Sequence, residues 1–178
     1  LSHIMPKKSP KYYKEAQKEI DFFGGKLNAA YNAVERHAKS WRKNKIALYW
    51  VGANNEKLKF TFKELNDKTN QFANMLHSLD VVRGDRVFFF LTRVPELYFG
   101  FLGTLKTGAI AGTMFAAFGP QAIEDRLENS GAKVLVTELD LFDRVAKTAY
   151  KLPELKTILV LGDPEKIAKL EVKGKKVI

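Results

Sequence analysis

Cysteine is absent from the 178-residue chain. That excludes disulfide staples, Cys-bearing zinc sites and thiol nucleophiles, and it permits a reducing compartment. Histidine is scarce, and neither His37 nor His77 has a partner at metal-ligand spacing. No Gly-x-Gly-x-x-Gly dinucleotide fingerprint occurs. Gly24-Gly25-Lys26 runs into Leu27 with no glycine at position 20, so it is not a Walker loop. A Gly-x-Ser-x-Gly elbow is missing too. By composition and spacing alone, the chain has no recognisable catalytic centre.

Apolar residues make up 46% and charged residues 28%, ordinary usage for a globular domain with a real core. The net charge of +10 is unevenly distributed. Residues 1–45 hold 11 Lys/Arg against 4 Asp/Glu, residues 46–150 hold 12 of each, and residues 151–178 hold 7 against 4. A nucleic-acid-binding surface needs its positive charge on the folded body that tracks phosphates. Here the body is neutral and the ends are basic, which reads as solubilising, flexible termini.

Leu1-Ser2-His3-Ile4-Met5 resembles a vector-derived leader, and the Lys/Pro-rich residues after it have no apolar h-region. One stretch imitates a membrane span: Leu97 to Phe118 carries a single charge, Lys106. Four glycines punctuate it and Pro95 and Pro120 bracket it, so a buried helix followed by a buried strand is expected. The expectation is a soluble, cytoplasmic protein that binds neither membrane nor nucleic acid.

Periodicity places a helix over Asn28–Arg42, with Asn28 as its cap. A hairpin follows over 47–61 around a Gly/Asn turn, and Thr61 with Glu64 makes a capping-box pattern for the next helix. Strands are expected near 86–91, 109–114, 133–137 and 157–161. Helices are expected over Pro95–Thr107, Pro120–Ser130 and Leu141–Leu152. Pro95 stands at a first-turn position, and Gly108 and Gly131 are the stops. Short strand–helix–strand connections imply an α/β fold, a Rossmann-like parallel sheet with flanking helices plus a small β-hairpin. After Gly162 the pattern fades into Lys-rich sequence without a closing element. The expected organisation is a leader and flexible basic arm (1–20), an α/β subdomain (21–162) and a Lys-rich tail at a truncation point (163–178).

Other polar clusters have plain structural explanations. Asp140 and Asp143 fall near a helix start, where negative charge suits the helix dipole. Asp125, Arg126 and Glu128 read as a solvated face.

Beyond these, Phe22-Phe23-Gly24-Gly25-Lys26-Leu27-Asn28-Ala29-Ala30-Tyr31-Asn32, followed by Glu35-Arg36-His37, resembles the N-terminal signature of AMP-forming acetyl-CoA synthetases. Phe60-Thr61-Phe62-Lys63-Glu64-Leu65, Gly84-Asp85-Arg86-Val87, Pro95-Glu96-Leu97-Tyr98-Phe99, Gly108-Ala109-Ile110 and Asp125-Arg126-Leu127-Glu128-Asn129-Ser130 continue it in order. The resemblance runs from about Asp21 to Gly162. It implies a parent enzyme that joins a short carboxylic acid to coenzyme A through an acyl-adenylate, with ATP and CoA as co-substrates and Mg. The family's phosphate loop, adenylate and ribose contacts and catalytic Lys would all lie beyond Ile178. The remainder of the same polypeptide is therefore the expected partner. The 178-residue chain is expected to be inactive by itself and to bind none of these ligands tightly.

The same resemblance gives the only candidate site. Where many acetyl-CoA synthetases carry Phe-Gly-Gly-Phe along the pantetheine tunnel, this chain has Phe115-Ala116-Ala117-Phe118. Phe115, Ala116 and Ala117 are the candidate CoA-binding residues, and the competing role is a strand end packed in the core. The family's basic Tyr-Arg-Gly-Gly-Lys loop has no counterpart around Glu138–Asp143. Two other readings stay open here: a stand-alone, non-catalytic α/β binding module, and a basic nucleic-acid-binding protein. Loss of the partner polypeptide is expected to expose an apolar face along 97–118 and to drive self-association through it.

Overall fold

The computed structural model describes residue 15, residues 18–22 and residues 25–178. Most of the expected 1–20 arm, and Phe23 and Gly24 of the signature, lie outside the described residues. Helix α1 (residues 29–38) includes one π-helical turn at Tyr31–Glu35. As expected, the Asn28 side chain caps it, accepting from the Tyr31 N–H at 3.1 Å.

The helix stops earlier than the expected Arg42, and Ser40 is the reason. Its hydroxyl donates to the His37 carbonyl (2.9 Å) and accepts from the Arg42 N–H (3.2 Å), starting a separate 3₁₀ turn at Trp41–Asn44. Leu27 and Trp41, which flank it, are both exposed.

Strands β1 (Ile46–Val51) and β2 (Lys57–Thr61) form the expected antiparallel hairpin. Helix α2 (Phe62–Ser78) begins at the capping box, with both Thr61–Glu64 hydrogen bonds formed. Strand β3 (Arg86–Phe90), helix α3 (Pro95–Thr107), strand β4 (Ile110–Met114), helix α4 (Pro120–Ser130), strand β5 (Val134–Glu138), helix α5 (Leu139–Ala149) and strand β6 (Thr157–Leu161) follow. Helix α3 ends at Gly108, whose φ of 79° only glycine adopts readily.

The tail departs from expectation. Residues 163–178 form a short helix α6 (Pro164–Ile167) and strand β7 (Lys176–Val177), which pairs parallel to β6. Asp163 caps α6, and Lys175 donates to the Leu152 carbonyl. Ile167, Leu170, Val172 and Val177 pack on the core one at a time, separated by charged residues and by Ala168 and Gly174, so no periodic signal announced them.

The sheet order is β4–β3–β5–β6–β7, all parallel. One face (the first) carries Phe90, Leu135 and Ile158 under Ile123 and Leu127 of α4 and Phe142 and Val145 of α5. The other (the second) carries Val87, Phe89, Val136 and Leu159 under Leu76 of α2 and Leu97 of α3. A third cluster joins Val34, Leu65 and Phe99 to Leu48 and Phe60 of the hairpin. Lys106 ties the same elements by polar contacts. Its Nζ donates to Asn66 Oδ1 (2.7 Å) and Asn70 Oδ1 (2.6 Å) and lies 3.9 Å from Glu35 Oε2. Burial holds the Lys106 ammonium below its ordinary pKa.

The Gly84–Val87 segment is explained by architecture. Asp85 pairs with Lys133 at 2.8 Å, and Arg86 donates to the carbonyls of Ser130 and Gly131, closing the end of α4. No helix among the described residues is long and apolar enough to cross a membrane. The apolar face expected along 97–118 is largely turned inward, since Phe99, Gly100, Gly103 and Met114 are buried. Tyr98, Ile110 and Phe115 alone among its large apolar side chains are exposed.

Candidate functional site

In an open parallel sheet, ligands bind outside the carboxyl ends of the strands, at the point where the strand order reverses. Here the chain leaves β3 toward β4 on one side and returns as β5 on the other. The reversal therefore lies between the carboxyl ends of β3 and β5. Glu138 closes that crevice. Its carboxylate accepts from the Thr92 N–H (3.0 Å) and the Thr92 hydroxyl (3.1 Å). The neighbouring Arg93 carbonyl accepts from the Trp50 indole N–H at 2.7 Å, which ties the hairpin to the same edge. A carboxylate here repels anions, so the crevice itself does not suit a phosphate.

The carboxyl end of β4 offers a different surface. Phe115–Phe118 is a tight turn in which the Phe118 N–H donates to the Phe115 carbonyl at 2.9 Å. Ala116 and Ala117 are absent from the residues with positive φ, so alanine fits this turn without backbone strain. Arg144 of α5 holds it from beneath: its Nη1 donates to the carbonyls of Ala116 (2.8 Å) and Phe118 (3.0 Å). The same guanidinium lies 5.2 Å from the centre of the Phe90 ring. Arg126 stacks over Phe118 at 4.1 Å, and the Phe115 and Phe118 rings meet edge to face at 5.9 Å. Phe115 is 67% exposed and Ala117 is exposed, while Ala116 packs on the core. The result is a fixed apolar turn with its carbonyls engaged from below and a cation at its flank. It can line a neutral, flexible ligand arm.

Of the three candidate residues, Phe115 and Ala117 are exposed and Ala116 packs on the core. His37 is structural: its Nδ1 lies 3.2 Å from Arg42 Nη1 and its ring packs on Phe62. Burial, then the charges of Arg36 and Arg42, lower its pKa. His77 is exposed on α2, and Asp140 sits in the first turn of α5. Among the described residues no group of three or more His, Asp or Glu could hold a metal ion. Arg144 and the Thr92–Glu138 pair were not singled out by sequence. Arg144 directly follows Asp143, so a basic residue next to the Glu138–Asp143 stretch is the sequence signal for it.

Residues 34–177 match the family described as AMP-binding enzyme. The chain is 52% identical over 139 residues to acetyl-coenzyme A synthetase of Bacillus subtilis, covering 78% of this chain and 24% of that protein. It is 39% identical over 151 residues to 3-hydroxypropionyl-coenzyme A synthetase of Sulfurisphaera tokodaii, covering 85% and 23%. The solved structure of a Brucella canis acyl-CoA synthetase superposes with a TM-score of 0.74 at 30% identity, covering 90% of this chain and 29% of that one. The chain thus spans about a quarter of the length of the curated relatives it matches.

Proposed function

The chain belongs to the AMP-binding enzyme family, and on that premise we propose that it is the first α/β part of an AMP-forming ligase for short carboxylic acids and CoA. In that reaction the carboxylate attacks the α-phosphorus of ATP, giving an acyl-adenylate and releasing pyrophosphate. The CoA thiol, losing its proton, then attacks the acyl carbon and AMP leaves with the bonding pair. The relatives named as acetyl- and 3-hydroxypropionyl-coenzyme A synthetases support a short acid. The family reading also supports a cytoplasmic setting, with Mg accompanying ATP on parts of the protein outside this chain.

The observation that carries a role for this chain is the Arg144-braced turn at Phe115–Phe118. Phe115 and Ala117 would form one wall of the channel for the uncharged pantetheine arm. Arg126, stacked on Phe118, would place positive charge beside that wall. Positioning is the chain's contribution. The adenylation chemistry would belong to the rest of the polypeptide.

The test is product analysis on the longer polypeptide carrying this sequence, with ATP, CoA and a panel of acids of increasing length. Equimolar AMP, pyrophosphate and acyl-CoA with the short acids are expected. ADP and phosphate, or no thioester from any acid, would overturn the reading. A stand-alone binding module would give no turnover at any length of chain.

A further inference from the structure

Half of the residues from Arg36 to Lys45 are Lys or Arg, and none is Asp or Glu. The run closes α1 and forms the 3₁₀ turn leading into β1. Most of the excess positive charge of residues 1–45 therefore sits on folded backbone, where a segment-by-segment sum conceals it. Two of these cations are neutralised locally, Arg36 by Asp21 at 3.6 Å and Lys39 by Glu35 at 2.6 Å. Arg42, Lys43 and Lys45 are exposed and form no ion pair among the described residues. The Arg42 guanidinium lies 5.1 Å and the Lys45 ammonium 5.8 Å from the centre of the Trp41 ring, which is 74% exposed.

The hairpin repeats this pattern. Side chains alternate between faces along a strand. Trp50 turns inward to its bond with the Arg93 carbonyl, and Phe60 packs in the third cluster. Tyr49, Val51, Lys57 and Lys59 therefore stand on the outer face, and all four are exposed. Tyr49 is directly opposite Lys59, and Val51 opposite Lys57. Tyr49 is 66% exposed, with Lys59 Nζ 5.5 Å from its ring centre. Glu56, the one acidic residue of the hairpin, is occupied at the tip, where its carboxylate accepts from the Asn54 N–H at 2.9 Å.

Each ring thus has a cation over it and is mostly open to solvent. Single-stranded nucleic acid carries both halves of the matching chemistry, phosphates for the cations and base faces for the rings. A duplex keeps its base faces stacked on one another. An acidic peptide would engage the lysines and leave the rings unmatched. A membrane surface calls for an apolar edge that sinks below the headgroups. The hairpin tip, Ala53-Asn54-Asn55-Glu56, is polar and carries a carboxylate. Trp41 and Tyr49 are eight residues apart in sequence and so within ~29 Å of one another. A strand of about twelve nucleotides, at roughly 3.4 Å each when stacked, is long enough to reach both.

We propose that Trp41 and Tyr49, with Arg42, Lys45, Lys57 and Lys59, form a binding face for single-stranded nucleic acid, held by stacking and phosphate contacts without regard to base sequence. This departs from the expectation, drawn from segment sums of charge, that the chain binds no nucleic acid. The binding is separate from the ligase reading and is tested without turnover.

A fluorescein-labelled oligouridylate of about twelve nucleotides is titrated with residues 1–178, and binding is followed by anisotropy over a range of salt. Lys57→Gln with Lys59→Gln is expected to weaken binding and to reduce the slope of log K against log salt by about 1.4, since each lost phosphate contact removes ~0.7. Lys166→Gln with Lys169→Gln, on exposed residues of the tail, removes the same charge and should leave affinity within about twofold, because distant surface charges are screened. Trp41→Ala and Tyr49→Ala, each alone, should weaken binding by at least about fivefold and leave the slope unchanged, because stacking releases no counterion. The longer polypeptide should bind the oligomer as residues 1–178 do. Equal weakening by the tail pair, or no loss in either ring variant, overturns the proposal. So does a duplex of the same length bound as tightly, or an oligomer that the longer polypeptide fails to bind. Binding of phosphatidylserine vesicles without binding of the oligomer assigns the face to a membrane and overturns it too.

Discussion

Replacing Arg144 with Met is expected to loosen the Phe115–Phe118 turn while keeping the aliphatic stem that packs beneath it. The substitution removes two hydrogen bonds from a charged donor, at 2.8 and 3.0 Å, and one cation–ring contact at 5.2 Å. Bonds to charged groups contribute about 1.5–3 kcal/mol each where no solvent can replace them. This turn is at the surface, so water recovers part of the loss, and the variant also avoids the cost of burying the guanidinium. A net loss of ~2 kcal/mol follows. With a urea m-value of about 2 kcal/mol/M, the midpoint should fall by about 1 M. Urea titration followed by the fluorescence of Trp41 and Trp50 reads this directly. In the longer polypeptide the same substitution should raise KM for CoA by about tenfold, equivalent to ~1.4 kcal/mol. Acetate-dependent pyrophosphate exchange, which precedes CoA, should not change. A midpoint shift below about 0.25 M together with an unaltered CoA KM would refute the claim that Arg144 sets the turn.

Gly103→Ala should cost about 1–3 kcal/mol, because its Cβ would stand 2.8 Å from the Thr69 carbonyl and 3.0 Å from Phe72 Cβ; thermal unfolding measures it. Lys106→Met should cost about 1–3 kcal/mol by stripping Asn66 and Asn70 of their shared donor, and Asn66→Ala in the same background should then cost less than it does alone. Burial alone would raise the Asp85 pKa, but the Lys133 ammonium, the Val82 N–H and the nearby Arg86 outweigh it and hold it below 3.8. Its contribution is thus complete well above pH 3.8 and is lost as pH falls through the lower folded value, so Asp85→Asn should be less stable than the parent at pH 6 and converge with it once the pH has fallen below that folded value. Thr61→Ala should cost about 1 kcal/mol through loss of the capping box, read from the urea midpoint.

The elements with local punctuation were legible in the sequence. Pro95 and Gly108 bound α3, Pro120 and Gly131 bound α4, and Thr61 with Glu64 starts α2, all at the residues their chemistry specifies. The short apolar runs gave the strands because both sheet faces are buried. Ser40 escaped notice because its competition with the helix depends on two backbone groups that only the folded turn brings to it. Strand β7 escaped because its apolar anchors are single residues among lysines, and its partner β6 is supplied by tertiary pairing. At the candidate site, the Phe115–Phe118 turn was visible through resemblance alone. Arg144 was not, since 26 residues separate it from Phe118 and only the packing of α5 joins them.

On the proposed function, this chain supplies the scaffold and one wall for CoA, while the adenylating groups lie elsewhere in the polypeptide. Acetate-dependent pyrophosphate release, measured side by side on purified residues 1–178 and on the longer polypeptide, tests it most directly. Release from the longer polypeptide, with none above background from residues 1–178, is the predicted result. Acetate-dependent release by residues 1–178 alone, free of host enzyme, would contradict it.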